Sequence, residues 1–348
     1  MIRLTWLQFR TQAVTAAAAL AAFAVLLAAT GPRLASMSAA DGLGSCHGGS
    51  CQNLAQNFIV QITSTGPYPA LYLISVGAIL LAPAVIGLFW GAPLIARELE
   101  TGTCDLAWNQ SVTRTRWLAV KLTIGGLAAL AVTEALCLMQ SWWAAPIGRA
   151  TGDGAFGGIA QSRFTQLVFD THGITPLGYA AFAFALGVTA GALIRRTIPA
   201  MALTLAIFAA LQIAVPLWVR PNLAPADHMV IPVTSVNNAP MTGPGGSTFT
   251  LTTQGVPGQP GAWLLSSGPV NTAGQPVSNT PAACIAVSTE SNPSAFPDCL
   301  ASHGIREAVT YQPASRYWPF QWTETAIYLA LALALTGYCF RRLNHCLS

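Results

Sequence analysis

Charged side chains are scarce in this chain: 12 acids and 16 bases among 348 residues, or 8%. A soluble globular chain carries about 25%. So few charges cannot cover one or two water-soluble domains of this length. That excludes an ordinary cytosolic enzyme. The 53% hydrophobic content excludes a disordered chain, which needs low hydrophobicity and high charge. A scattered net charge of +4 is too small for a nucleic-acid binder, so no nucleic-acid partner is expected. Lysine is nearly absent, with Lys121 alone beside fifteen arginines. Catalytic signatures are missing as well. There is no G-x-x-x-x-G-K-S/T phosphate loop, so the chain itself does not bind ATP in the P-loop manner. No H-E-x-x-H pair, G-x-S-x-G elbow or pair of intramembrane aspartates occurs, and the five histidines are scattered. Neither catalysis nor a bound metal is expected.

What the chain has instead is apolar length. A helix crossing a bilayer needs about 20 mainly apolar residues. Six such runs occur, near 12–31, 69–95, 118–142, 174–194, 198–219 and 323–340. The expectation is an all-α polytopic membrane protein with six transmembrane helices and a long extracellular loop between helices 5 and 6. A cleaved signal peptide is the other reading of the first run, but its apolar core exceeds the usual 7–15 residues or so. The chain divides into 1–219, with an N-terminal interfacial helix and five spans, 220–322, an outer loop or cap, and 323–348, the sixth span and a cytoplasmic tail.

Arginine placement sets the expected orientation. With the N-terminus inside, the short inner segments hold Arg3, Arg10, Arg97, Arg114, Arg116, Lys121, Arg195, Arg196, Arg341 and Arg342. The much longer outer segments hold Arg33, Arg149, Arg163, Arg220, Arg306 and Arg316. Positive charge concentrates on the cytoplasmic side, so both termini are expected there. In the short Arg195-Arg196 turn, Thr197 is expected to cap the next helix and Pro199 to lie in its first turn. Cysteines give an independent test. Cys46, Cys51, Cys284 and Cys299 fall in outer segments as two close pairs, while Cys104, Cys137, Cys339 and Cys346 fall elsewhere. An oxidising exterior implies Cys46–Cys51 and Cys284–Cys299 disulfides. A metal loop through His47 is the weaker alternative for the first pair.

The loops carry further expectations. Met1–Gln12 puts Ile2, Trp6 and Phe9 on one face beside Arg3 and Arg10, which suits an interfacial helix; the other reading extends the first span inward. In Ala96–Lys121, Thr101-Gly102 breaks the second span. Thr103 then caps a short helix with Asp105 in its first turn. Leu106 and Trp108 would be exposed apolar side chains there, as in a docking site for a protein partner, unless Trp108 lies in the headgroup belt. Arg114, Arg116 and Lys121 are expected to anchor the third span at the phosphate level. Within the membrane, Glu134 and Gln140 on the third span are candidates to line a substrate path; a hydrogen-bonded structural glutamate is the bland reading. Glu324 reads as interfacial. Gly87-x-x-x-Gly91 and Gly187-x-x-x-Gly191 permit close helix packing. The stretch from Arg220 to Trp322 is either a small β-rich cap pinned by Cys284–Cys299 or an irregular loop. Ser247–Thr253 reads as a strand there, and His303–Val309 as one or two helical turns.

These residues together resemble a family, the ABC-2-type permeases and in particular the actinobacterial ones. The resemblance rests on Ala96–Thr103 (ARELETGT), on Asp105–Lys121 (DLAWNQSVTRTRWLAVK) and on Trp142-Trp143. It rests also on Gly173–Gly191 with Arg195-Arg196-Thr197, and on Arg316–Gln321 before Glu324. It implies one transmembrane subunit of an ATP-driven exporter, paired with a second permease copy or a homologous permease and with two ABC ATPase subunits. ATP and Mg would sit on those partners and no cofactor on this chain. The loop between spans two and three would form the coupling helix, with Glu98, Glu100, Gly102, Thr103, Leu106, Trp108 and Arg114 at the ATPase. The cargo would be a drug, antibiotic, lipid or peptide moved outward through the cell membrane. A membrane sensor or immunity subunit binding an extracellular ligand is the alternative.

Overall fold

A computed structural model of the chain describes residues 2–43, 50–101, 113–152, 162–234, 238–242, 247–253, 256–259, 261–285, 287 and 294–345. Six of its helices are long and apolar enough to cross a membrane: Phe9–Ala40, Tyr68–Thr101, Thr115–Gly152, Thr175–Ile194, Thr197–Asn222 and Ala314–Arg342. They are numbered here as spans 1 to 6. All the expected runs are among them, and most of the helices outreach the runs at one or both ends. The helix containing span 1, Ile2–Ala40, has 39 residues, about 58 Å at 1.5 Å per residue, against a hydrocarbon core of ~30 Å. From Ile2 onward the stretch expected to be interfacial is continuous with span 1 in one helix. No proline or glycine interrupts the chain before Gly31, and Phe9 finds a partner in Trp90 of span 2, edge to face at 5.1 Å.

Span 2 is irregular for a chemical reason. Pro83 and Pro93 lack the N–H that a helix interior needs, and the segment Gly87–Gly91 between them forms a π turn. Pro93 cannot bond the Phe89 carbonyl. The Gln12 amide donates to that oxygen instead, at 3.0 Å, which ties span 1 to the weakest turn of span 2. An unpaired carbonyl there would lie in lipid with no water to satisfy it.

Span 4 is the hub of the bundle. Nearly all its residues from Thr175 to Gly191 are buried, and its neighbours are spans 2, 3, 5 and 6. The two small-residue motifs meet each other here. A Cβ on Gly87 would stand 2.7 Å from the Ala183 carbonyl oxygen, and one on Gly91 2.7 Å from that of Phe184. A Cβ on Gly187 would overlap the Gly87 carbonyl and lie 2.8 Å from the Ala92 nitrogen. Spans 2 and 4 thus touch backbone to backbone, which only glycine permits. Span 4 ends at Arg195, whose left-handed φ of 57° closes the helix as a C-cap. Arg196, extended, holds the cap position of span 5. Thr197 is the first helical residue rather than the expected N-cap.

The segment between spans 5 and 6 takes the first of its two readings and forms a β-rich cap. Strands β1 (Asp227–Pro232), β4 (Trp263–Val270) and β5 (Arg306–Gln312) make an antiparallel sheet in the order β1-β5-β4. Strands β2 (Asn238–Thr242) and β3 (Phe249–Thr253) form a second, two-stranded sheet. β5 corrects the expectation of helical turns at His303–Val309: it is paired on both edges, and that tertiary context overrides its local propensity. A disulfide joins Cys284 to Cys299 with Cα atoms 5.8 Å apart, beside a core of Val233, Phe249, Leu251, Phe296, Leu300 and Ile305. Phe164, just before span 4, anchors the cap to the bundle. It stacks on Trp263 of β4 at 5.6 Å and meets Tyr317 and Phe320 of the sixth helix edge-on. A further helix, Ser50–Ser64, follows span 1 in the chain and packs against spans 3 and 2, burying Ala55, Phe58, Ile59 and Ile62. No apolar run announces it.

Candidate functional site

Two polar constellations stand out, one at each end of the bundle. At the end away from the cap lies the connection between spans 2 and 3. Its tip, with Gly102, Thr103, Leu106 and Trp108, lies outside the described residues, as does the Arg114 side chain. Its roots are described. Glu98 forms an ion pair with Lys121 across spans 2 and 3. Lys121 is only 3% exposed and its ammonium lies 4.6 Å from the centre of the Trp117 ring. That corrects the expectation of a phosphate-level anchor: Lys121 is an interhelical contact. Glu100, exposed, accepts a hydrogen bond of 2.5 Å from the Thr197 hydroxyl at the start of span 5. The E-x-E pair thus reaches spans 3 and 5 from span 2.

At the cap end, Arg220 closes span 5 and is 1% exposed. Its Nε donates to Glu324 Oε2 and its Nη2 to Glu324 Oε1, both at 2.9 Å, and Nη2 also pairs with Asp170. The guanidinium lies 4.0 Å from the centre of the Phe169 ring. The Tyr179 hydroxyl, on span 4, bridges the two acids, 3.0 Å from Asp170 Oδ1 and 2.5 Å from Glu324 Oε1. Glu324 is therefore a buried ion-pair partner, 1% exposed, and not the interfacial residue expected. Two carboxylates share one cation, so the cluster is negative when both are ionised. Burial pushes the Asp170 carboxyl up to about 6, with the Arg220 charge opposing and the Glu324 charge reinforcing the rise. One turn away, Gln321 braces the start of span 4. Its Oε1 accepts from the Ile174 and Thr175 N–H groups, both at 3.1 Å, and its amide donates to the Phe169 and His172 carbonyls at 3.0 and 3.1 Å. These contacts satisfy orphan groups of a helix terminus from another helix. Arg220 lies 50 residues from Asp170 and 104 from Glu324 along the chain, so no local motif joins the three. The signal available was unspent charge next to apolar runs.

The two path candidates are not brought together. Glu134 and Gln140 are six residues apart on span 3, roughly 240° around a helix. Glu134 is half-buried, whereas Gln140 is fully buried, its Nε2 donating toward Ser75 Oγ of span 2 at 3.4 Å and its Oε1 unpartnered. Of the expected disulfides, Cys284–Cys299 is present. Cys51 is disulfide-bonded too, while Cys46 and His47 lie outside the described residues. Cys137 and Cys339 are free and buried. His303 stands near Cys284 and Cys299, but the two sulfurs are bonded to each other and offer no thiolate to a metal.

No curated protein and no solved structure matches the chain. A protein family described as ABC-2 membrane transporter related matches residues 17–220, from span 1 to the arginine that closes span 5. That is more than half of the 348 residues, and it joins the six-span architecture in marking a multi-pass protein of the plasma membrane. The chain belongs to the ABC-2 membrane transporter related family, whose members are transport permeases that associate with ABC ATPases.

Proposed function

We propose that this chain is the permease subunit of an ATP-driven exporter, working as a dimer with a second permease copy or a homologue and with two separate ATPases. It would move a hydrophobic or amphipathic compound outward. The observation that carries the reading is the bracing of the loop between spans 2 and 3. Its span-2 root is tied to span 3 by Glu98–Lys121 and to span 5 by Glu100–Thr197. A push on that loop by an ATPase reaches three helices at once, which suits a rigid-body rocking of the bundle. Gly102, Thr103, Leu106, Trp108 and Arg114 would supply the contact, with Glu98 and Glu100 transmitting it. Glu134 remains the better candidate for the path, because Gln140 is occupied between spans 2 and 3.

In this reading both termini and the coupling loop are cytoplasmic and the cap is extracellular. The disulfides at the cap end, set against buried free thiols in spans 3 and 6, support that orientation. A reporter active only in cytoplasm should work at Ser348 and fail near Gly255; activity at Gly255 would reverse the assignment. The functional test is reconstitution with an ABC ATPase partner. ATP-dependent accumulation of a dye-like substrate inside inverted vesicles supports export; an ATPase complex that moves nothing but responds to a ligand on the cap supports the sensor reading. The disulfide-pinned cap, with its own apolar core, is what favours that second reading.

A further inference from the structure

A crevice of about 820 Å³ opens at the cap end of the bundle, lined by span 3, by the segment before span 4 and by the start of span 6. Its lining includes Arg149, Arg163 and His172 and, among the described residues, no acid. Neither arginine makes a hydrogen bond or ion pair among the described residues. Apart from Ser141 and Thr151, the remaining described walls are apolar or aromatic, among them Tyr72, Ala145 and Tyr317. Trp318 lies on the same rim, 54% exposed, and Trp142 and Trp322 are exposed nearby in sequence on the same two helices. Exposed tryptophans of this kind mark the level of the lipid headgroups. The crevice therefore pairs two uncommitted guanidinium groups with an apolar wall at that level.

We infer that this crevice binds the phosphate headgroup of an anionic membrane lipid, its acyl chains following the apolar wall toward the bilayer. Each guanidinium presents five N–H donors in a planar fork that matches phosphate oxygens. His172 does not add a third charge. Burial holds its imidazole below the ordinary range, with the Arg163 charge acting in the same direction, so it serves as a neutral hydrogen-bonding wall. Its Nδ1–H is donated to the Val168 carbonyl at 3.0 Å, so in the neutral ring Nε2 can only accept, from a headgroup hydroxyl and not from phosphate oxygens. A zwitterionic lipid would bring its choline cation against the same two arginines and bind less well. The inference stands apart from the transport reading, since it needs neither ATP nor a partner subunit.

The test is native mass spectrometry of the purified chain in mild detergent, titrated with phosphatidylglycerol, phosphatidylcholine or inorganic phosphate. The expected result is one tightly held phosphatidylglycerol per chain, at least tenfold preferred over phosphatidylcholine. Arg149→Gln with Arg163→Gln should abolish that preference. Arg33→Gln, which removes an exposed arginine of span 1 outside the crevice, should leave it intact. Equal retention of both lipids, or full retention by the double glutamine variant, would overturn the inference. Displacement of the lipid by millimolar inorganic phosphate would show a soluble-anion site and overturn the lipid assignment. Should the double variant aggregate, Arg149→Lys with Arg163→Lys keeps the charge, and the wild-type preference alone still decides the matter.

Discussion

Arg220 and Asp170 belong to one buried cluster, yet their removal should have opposite consequences, because acids outnumber bases there two to one. Arg220→Gln strips the only cation and leaves Asp170, Glu324 and Tyr179 facing one another out of water. Removing one partner of a buried ion pair costs ~3–5 kcal/mol, and here two carboxylates lose theirs. Asp170→Asn instead leaves Arg220 and Glu324 as a one-to-one pair through two 2.9 Å hydrogen bonds. The asparagine oxygen can still accept from Tyr179, so the cost should stay below ~1 kcal/mol. Thermal unfolding in detergent, followed by size-exclusion fluorescence, separates the two. Arg220→Gln should lower the melting temperature by roughly 5–15 °C on the usual conversion, and Asp170→Asn by no more than a few degrees. The pH profile adds a second reading. Burial pushes the Asp170 carboxyl up to about 6 in the folded protein, whereas a free aspartate carboxyl titrates at 3.8. Between those values the folded state binds more protons, so stability falls as pH rises through the window and levels off above it. Asp170→Asn should flatten that slope. Equal losses from the two variants at pH 7, or an unchanged slope in Asp170→Asn, would refute the charge count.

Two further outcomes are expected. Gly187→Val forces spans 2 and 4 apart at a backbone contact and should cost ~1–3 kcal/mol by overpacking, read as lost folded yield, whereas Gly337→Ala, with open space around it, should be neutral. Trp108→Ala should weaken copurification of the ATPase by ~2 kcal/mol or more, about thirtyfold, with membrane insertion unchanged; Trp218→Ala, on an exposed tryptophan at the other end of span 5, should leave copurification alone, and full ATPase binding by Trp108→Ala would refute the coupling assignment.

The six spans were legible because a membrane helix writes its length directly into the sequence as an apolar run. The glycine motifs at 87–91 and 187–191 were visible as well, but not that they face each other, since a small-residue pair carries no address. The ion pairs were hidden for a related reason. Arg220, Glu324 and Lys121 each sit at the end of an apolar run, where a charge ordinarily reaches headgroups; only the packing of other helices over them turns them inward. β5 was misread because Arg306-Glu307-Ala308 favours helix locally, while its pairing to β1 and β4 is set by residues about 40 to 80 positions earlier. The helix Ser50–Ser64 escaped notice because its Gln and Asn content masks the apolar face of Ala55, Phe58, Ile59 and Ile62.

The burial of Lys121 also determines how the protein will respond to reagents. Side-chain amines are the targets of acylating dyes, of amine cross-linkers and of lysine-specific proteases, and this chain contains one, closed off between two helices by an acid and an indole. In the native state it should be silent to all three. Its acylation would then report unfolding of the joint between spans 2 and 3, giving the protein a built-in chemical probe of that joint with no engineered label.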